Sequence, residues 1–145
     1  MIEMKQMNAN HVGQVVALEK VCFADPWSEA SIAGELGNPL SLWLVAMEQD
    51  AVLGYVGSQS VLGEGDMMNL AVTPAFRRQG IAEKLVLALC SALLEKNVRS
   101  LTLEVRASNQ PAKALYEKLG FSQVGKRPNY YRNPREDALI LRKEL

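Results

Sequence analysis

The chain has 145 residues, and its 16 basic and 16 acidic side chains leave no net formal charge at pH 7. A domain of this size buries about 70% of the surface that its unfolded chain exposes, so we expect one domain over residues 1–145. The balanced charge argues against direct binding of nucleic acid through bulk electrostatics. Cys22 and Cys90 are too few and too far apart for a disulfide framework or a metal cluster, so we expect no metal and two reduced thiols.

No apolar stretch approaches the roughly 20 residues that a membrane span requires. The first residues, MIEMK, are followed by polar residues and not by the apolar core of a signal peptide. These two features predict a cytoplasmic protein that has no membrane partner.

Apolar periodicity, interrupted by Gly, Pro and Asn, divides the chain into short elements. In chain order they are a strand at 2–7, helices at 10–21 and 28–36, strands at 42–47, 52–61 and 67–72, a helix at 80–96, a strand at 101–106, a helix at 109–119, and strands at 121–125 and 138–142. A loop over residues 126–137 is expected to join the last two strands. This order predicts an α/β (α+β) fold, with a mixed central sheet flanked by helices on both faces.

Side chains that accept hydrogen bonds from free amides predict where helices begin. We expect Asn10 to cap the first helix and Ser28 or Ser31 to cap the second. The helix at 80–96 should bury one apolar stripe against the sheet. The residues of this stripe are Ile81, Leu85, Ala88, Leu89 and Ala92.

The segment that joins the strand at 67–72 to the next helix predicts an anion site. Thr73-Pro74 breaks the strand, and Arg77-Arg78-Gln79-Gly80-Ile81-Ala82 lies at the helix start. Free N–H groups at a helix start attract anions, and the small residues permit close approach. No G-x-x-x-x-G-K-S/T sequence is present, so a diphosphate would be held without a P-loop. The alternative is an ordinary helix start beside a solvated pair of arginines.

The strand at 101–106 carries a carboxylate in its middle. In LTLEVR the aliphatic residues alternate with polar ones, so Glu104 lies on the face opposite the aliphatic stripe. Asn109 can cap the following helix, on which Tyr116 shares a face with other apolar residues. We expect Glu104 and Tyr116 to flank one cleft. The alternatives are that Glu104 pairs with Arg106 at a sheet edge, that Tyr116 is a core aromatic and that Asn109 is only a cap.

Two residues outside these runs have open interpretations. His11 is the only histidine and is far in sequence from every motif, so we expect a structural role and no Ser–His–Asp triad. Trp27 follows Pro26 in a predicted loop, where it could fill a core or line a peptide groove.

The runs MMNLAVTPAFRRQGIAEKLV and LTLEVRASNQPAKALYEKLGF together resemble the GNAT family of acyl-CoA-dependent N-acetyltransferases. The first matches R/Q-x-x-G-x-G/A through Arg77, Gly80 and Ala82, with Ala in place of the commoner final Gly. The second contains A-x-x-x-Y-x-x-x-G-F. With Pro26-Trp27-Ser28 and Asn129-Tyr130-Tyr131, the second run is similar to one branch, the bacterial ribosomal-protein N-terminal alanine acetyltransferases.

The resemblance implies a GNAT fold that uses acetyl-CoA as co-substrate. Its loop amides would bind the CoA pyrophosphate, its motif strand would pair with the pantetheine arm, and Asn109 would contact CoA. The loop residues are Arg78, Gln79, Gly80, Ile81, Ala82 and Glu83. The strand residues are Leu70, Ala71 and Val72.

The resemblance also implies the catalytic roles and the substrate. Glu104 would act as the general base and Tyr116 as the general acid, while Trp27, Tyr130 and Tyr131 would contact the peptide. An ordinary glutamate has a pKa of roughly 4.3, so an exposed Glu104 would be a poor direct base and would need burial or a water relay. The implied substrate is the N-terminal alanine of small-subunit ribosomal protein eighteen. Other N-termini, lysines, small amines and a non-catalytic acyl-CoA-binding module remain as alternatives.

Overall fold

The computed structural model describes residues 1–145 and contains one seven-stranded mixed sheet with helices on both faces. The strands are β1 (Glu3–Gln6), β2 (Ser41–Glu48), β3 (Ala51–Val61), β4 (Glu64–Val72), β5 (Ser100–Arg106), β6 (Ser122–Tyr131) and β7 (Glu136–Glu144). The helices are α1 (Val12–Cys22), α2 (Glu29–Glu35), α3 (Ile81–Glu95) and α4 (Gln110–Lys118). The predicted order of elements and the mixed sheet are therefore confirmed. No helix combines the length and the apolar character needed to cross a membrane.

The strands lie in the order β1-β2-β3-β4-β5-β7-β6, and only β4 and β5 run parallel. Helices α3 and α4 pack on one side of the sheet, which we call the α3 face, and α1 and α2 cover the other side, the α1 face. The stripe that α3 buries differs from the prediction. Ala88 and Ala92 are only partly buried, whereas Val86 and Leu93 are buried, because the larger side chains turn toward the sheet.

The start of the first helix was also predicted wrongly. Asn10 is not a cap: it lies inside a 3-10 turn at Ala9–His11, which Asn8 caps and which leads directly into α1. The Asn8 side chain accepts a bond from the Asn10 backbone N–H (2.9 Å), and His11 Nδ1 accepts one from the Asn8 N–H (3.0 Å). Burial, followed by the charge of Lys5, lowers the pKa of His11. His11 thus completes a capping box, and Ser28 caps α2 as predicted.

The final hairpin has longer strands than predicted. Residues 126–131 belong to β6, so the connection shrinks from the predicted 126–137 to residues 132–135. Pro128 and Asn129 interrupt the apolar alternation, and the register with β7 shifts between Arg127 and Tyr131. An edge strand tolerates such an interruption because one side of its backbone has no partner strand.

The pairing of β4 with β5 ends early. Only Glu64–Asp66 pair with Ser100–Thr102, although β4 continues to Val72 and β5 to Arg106. Beyond this point β4 stays paired with β3 and β5 stays paired with β7, so the two strands separate and the facing edge of β4 is free. The register between β3 and β4 also shifts here, which leaves Met68 as an extra residue in a β-bulge. The sheet is therefore split at its centre.

Gly57 allows Trp43 to lie flat across β3. A Cβ atom at position 57 would overlap the indole ring of Trp43. We therefore expect Gly57→Ala to lower the free energy of unfolding by about 1–3 kcal/mol, the usual cost of overpacking a core. Urea denaturation measures this change.

The matched control is Gly34→Ala, within α2, where an added Cβ meets nothing within 4 Å. It should stabilise the protein by about 0.5–1 kcal/mol, since alanine favours a helix interior over glycine. Equal effects of the two substitutions would contradict the packing described for Trp43.

Candidate active site

A cavity of about 460 Å³ lies beside the split between β4 and β5. It is bordered by the last residues of β4, by the loop before α3 and the first turn of α3, by Pro111 and Leu115 of α4, and by the end of α1. All the predicted cofactor-binding residues except Gln79 and Asn109 line it. Those that do are Leu70, Ala71, Val72, Arg78, Gly80, Ile81, Ala82 and Glu83.

The loop at the start of α3 presents a row of free backbone donors. Gly80 is the N-cap of α3 in a left-handed conformation (φ +80°), and no side chain caps this helix. The N–H of Lys84 donates to the Gly80 carbonyl (3.0 Å), but the six N–H groups from Arg78 to Glu83 bind no other group of the protein. Unpaired amides at a helix start, where the helix dipole is positive, form a site for an anion.

The two arginines of this loop have different roles. Arg77 turns toward the sheet, where its Nε donates to the Val72 carbonyl (3.1 Å) and its Nη2 lies 3.4 Å from Cys22 Sγ. It therefore braces the end of β4 against α1, a function that the sequence did not predict. Arg78 is exposed beside the free amides. Glu83 is paired with Lys118 (3.0 Å), which offsets its negative charge near the loop.

Glu104 lies on the α1 face, opposite the buried residues of β5. Its Oε2 is buried, accepts no hydrogen bond and lies 3.5 Å from Arg127 Nε on β6. The alternative in which Glu104 pairs with Arg106 is wrong. The Arg106 guanidinium instead donates to the carbonyls of Pro134 and Arg132 and pairs with Glu136 (3.4 Å).

Two tyrosines of β6 lie close to Glu104. The rings of Tyr130 and Tyr131 contact each other edge to face, and Arg106 lies over the Tyr131 ring (4.4 Å to the centroid). Burial, and next the negative charge of Glu104, raise the pKa of Tyr131 to about 12 and also raise that of Tyr130. Both hydroxyl groups are therefore protonated at neutral pH and can donate hydrogen bonds.

Tyr116 is buried, with its ring edge to face on Phe121 (5.5 Å between centroids). Its hydroxyl donates to Met67 Sδ (3.7 Å), on the first residue of β4 beyond the pairing with β5. Burial and then the neighbouring Tyr131 raise the pKa of Tyr116, which keeps the proton on the hydroxyl. A thioether is a weak acceptor, so this hydroxyl has no strong partner. The structure thus brings Tyr116, Tyr131, Tyr130 and Glu104 to the region where the strands separate, although none of the four lines the cavity.

The remaining predicted site residues lie at the margins. Asn109 caps α4 by accepting from the Ala112 N–H (3.2 Å), and its side-chain amide nitrogen has no partner in the protein. Trp27 packs edge to face on Trp43 (5.5 Å between centroids) over the core of the α1 face and does not line the cavity. Contacts of these residues with a ligand stay predictions. Both cysteines are free, and Cys22 lines the cavity.

One buried acid near the site was missed by the sequence analysis. Glu19 is fully buried, and its carboxyl group accepts from the Trp27 backbone N–H (2.8 Å), from Asn69 Nδ2 (2.8 Å) and from the Tyr55 hydroxyl. Burial, and next the bond to Glu19, raise the pKa of Tyr55. A signal was present, because Glu19 follows Val15 by four residues and Val16 by three and so lies on the buried stripe of α1.

Comparison with known proteins identifies relatives of the whole chain. The model of the acetyltransferase (GNAT) family matches residues 12–121. The ribosomal protein bS18-alanine N-acetyltransferase of Salmonella typhimurium is 41% identical over 127 residues, which cover 86% of this chain and 84% of that protein. The enzyme of the same name from Haemophilus ducreyi is 39% identical over 127 residues, covering 86% and 87%. The crystal structure of the ribosomal-protein-S18-alanine N-acetyltransferase from Escherichia coli has a TM-score of 0.92 at 34% identity, covering 99% of this chain and 94% of that one.

The left-handed conformation of Gly80 generates a test of the anion site. Alanine at φ +80° is strained by about 1–2 kcal/mol, and relief of this strain would move the free amides. We expect Gly80→Ala to weaken the binding of CoA by ~10-fold, as measured by isothermal titration calorimetry.

Gly63→Ala is the matched control, because Gly63 has a similar φ of +81° in the turn between β3 and β4 and does not line the cavity. It should reduce stability to a similar extent and leave the affinity for CoA unchanged. Unchanged affinity in Gly80→Ala would show that the loop amides do not hold the ligand.

Proposed function

The chain belongs to the acetyltransferase (GNAT) family, and we propose that it transfers acetyl from acetyl-CoA to the N-terminal α-amine of a protein. The first candidate substrate is the N-terminal alanine of ribosomal protein bS18, on which the relatives at 39–41% identity act according to their names. The observation that carries the proposal is the split between β4 and β5, with free amides on one side of it and, on the other, a carboxylate oxygen of Glu104 that accepts no hydrogen bond. Bacterial relatives and the absence of a membrane-spanning helix support a cytoplasmic location.

The cavity residues fit acetyl-CoA, which supplies an activated acetyl thioester. The diphosphate would accept hydrogen bonds from the N–H groups between Arg78 and Glu83, which have no other partner. The pantetheine arm carries amides of its own and would pair with the free edge of Leu70–Val72, as an added strand does. The free nitrogen of Asn109 and the apolar side chain of Leu115 would complete the site.

Glu104 is the candidate general base for the acceptor. An N-terminal amine has a pKa of about 8 and a lysine of about 10.4, so preparing a lysine at pH 7 costs on the order of 3 kcal/mol more. A modest base is therefore suited to an N-terminal amine. Oε2 of Glu104 is buried, lies 3.5 Å from Arg127 Nε and accepts no hydrogen bond. The side chain as a whole is 29% exposed, so a water molecule would reach the carboxyl group away from Oε2 and connect it to the amine.

Tyr116 is the candidate general acid for the departing thiol. Its hydroxyl keeps its proton at neutral pH and at present faces a sulfur atom, that of Met67. It could therefore donate to the sulfur of CoA without breaking a strong bond in the protein. A backbone N–H near Val72, on the free edge of β4, would stabilise the charge that develops on the thioester oxygen.

The acceptor peptide would approach from the α1 face, because Glu104 is on that side. Its path would run between the segment that joins α1 to α2, which includes Trp27, and the end of β6, which includes Tyr130 and Tyr131. No metal is needed for this route, and no group of three or more His, Cys, Asp or Glu residues is placed to hold one.

Thiol release from acetyl-CoA in the presence of defined acceptors tests the proposed function. We expect turnover with a hexapeptide that has the N-terminal sequence of bS18, and none with the same peptide blocked at its α-amine. Turnover with the blocked peptide would indicate that the acceptor is a lysine, and turnover with spermidine would indicate that it is a small amine. Tight CoA binding without turnover on any acceptor would indicate a non-catalytic acyl-CoA-binding module.

The two catalytic candidates should differ in how pH affects their variants. Loss of general acid or general base catalysis lowers a rate by ~100-fold or more. Glu104→Gln should lower the rate by this factor near pH 7. Above a pH of about 8, where the α-amine is already neutral, its rate should approach that of the wild type. Steady-state rates between pH 6 and 9 measure the difference.

Tyr116→Phe should lower the maximal rate at every pH in this range and leave the affinity for CoA nearly unchanged. Its stability should also be close to that of the wild type, because the hydroxyl contacts only the weak acceptor Met67 Sδ. Wild-type rates in both variants would exclude the assigned catalytic roles.

A further inference from the structure

Glu19 connects two parts of the molecule that border the candidate active site. Its Oε1 accepts from the backbone N–H of Trp27, in the segment between α1 and α2. Its Oε2 accepts from Asn69 Nδ2 on β4 and from the Tyr55 hydroxyl on β3. A buried carboxyl group is costly to leave unpaired, so the three donors are held in place as firmly as the acid itself.

Both ends of this connection adjoin the lining of the cavity. Phe23 begins the segment that contains Trp27, and it lines the cavity together with Cys22. Asn69 directly precedes Leu70, where the lining by β4 begins. The Glu19 side chain therefore fixes the distance between the α1–α2 segment and the edge of β4.

Asn69 and Glu104 lie on the same side of the sheet. Asn69 contacts α1 through Glu19, and Glu104 alternates with the β5 residues that pack on the α3 face. The acceptor amine must reach Glu104 on this α1 face, between β6 and the α1–α2 segment. The segment is thus positioned as one wall of the acceptor path.

A second buried acid stabilises the same core without contacting this wall. Glu35 accepts from Trp43 Nε1 (3.1 Å) and from Gln59 Nε2 (2.9 Å), and none of the three lines the cavity. It supports the ring on which Trp27 packs, but it bonds neither to the α1–α2 segment nor to β4. Glu19 and Glu35 are therefore both buried acids, but only Glu19 is bonded to the α1–α2 segment and to β4.

We propose that Glu19 is a positioning residue for the acceptor peptide, and this inference rests on the proposed function. By holding the Trp27 backbone at a fixed distance from β4, it preforms the peptide-binding wall relative to the acetyl group. The acetyl-CoA site consists mainly of the α3 loop and the edge of β4, and pairing with β3 holds that edge in place without Glu19. Glu19 consequently affects the binding of the peptide more than the binding of acetyl-CoA.

Kinetics with both substrates separate this role from general stabilisation. Glu19→Met should raise the KM for the peptide by ~10-fold, because it removes the hydrogen bond to the Trp27 N–H and lets the wall move. The KM for acetyl-CoA should stay within about twofold of the wild-type value, which is ordinary scatter for an unaffected site. Glu19→Gln should recover most of the affinity for the peptide, because its amide oxygen can still accept from the Trp27 N–H while its NH2 donates to the Asn69 side-chain oxygen after that amide turns over.

Glu35→Met is the control for the loss of a buried acid. It should leave the KM for the peptide near that of the wild type, although its stability falls as in Glu19→Met. Equal increases in both KM values for Glu19→Met, or the same increase for the peptide in Glu35→Met, would overturn the proposal. Failure of the wild-type protein to use any peptide would instead overturn the proposed function, and this inference with it.

Hydrogen exchange decides the question if Glu19→Met does not fold. In Glu19→Gln the Trp27 amide should keep its protection from exchange. Asn69→Ala should loosen the link to β4 and raise the KM for the peptide by ~3-fold, which corresponds to part of the free energy of one hydrogen bond. An unchanged KM in Asn69→Ala, in a folded protein, would overturn the proposal.

Discussion

The early end of the pairing between β4 and β5 is the constraint on which the rest of the site depends. After Asp66 and Thr102 the two strands separate, while β3 and β7 hold their outer edges in the sheet. The inner edge of β4 is left without a partner strand, and of its last carbonyls that of Val72 accepts from Arg77 Nε. A continuous sheet would pair this edge along its whole length. Because the split lies at the centre of the sheet, groups from both faces can reach it.

Charge and polarity around the split are arranged in two separate regions. The anion site uses free amides and a helix dipole, and Arg77 is committed to the Val72 carbonyl. The acceptor side has Glu104 with Arg127 and two protonated tyrosines. The buried Glu19 lies between these regions, where it joins β4 to the α1–α2 segment. In the proposed arrangement the acetyl donor and the amine acceptor would meet in the split from different directions, which direct transfer in a ternary complex requires.

Local sequence patterns predicted those features that are determined by residues close together in the chain. The N-cap at Gly80, the cap at Asn109 and the strand position of Glu104 follow from breakers and periodicity within a few residues. The contacts of Glu19 do not, because its donors are 8, 36 and 50 residues away in the chain. The length of β6 was underestimated because its pairing with β7, and not its own alternation, extends it past Pro128. Arg127 was missed as the partner of Glu104 because it lies on that unpredicted part of the strand.

A crystal structure with a conjugate of CoA and an acceptor peptide tests the central claim most directly, since it places both substrates at once. The account predicts the diphosphate on the amides of residues 78–83, the pantetheine along the edge of β4, and the peptide N-terminus beside Glu104 on the α1 face. A peptide that enters from the α3 face, or a diphosphate bound away from the loop before α3, would contradict it.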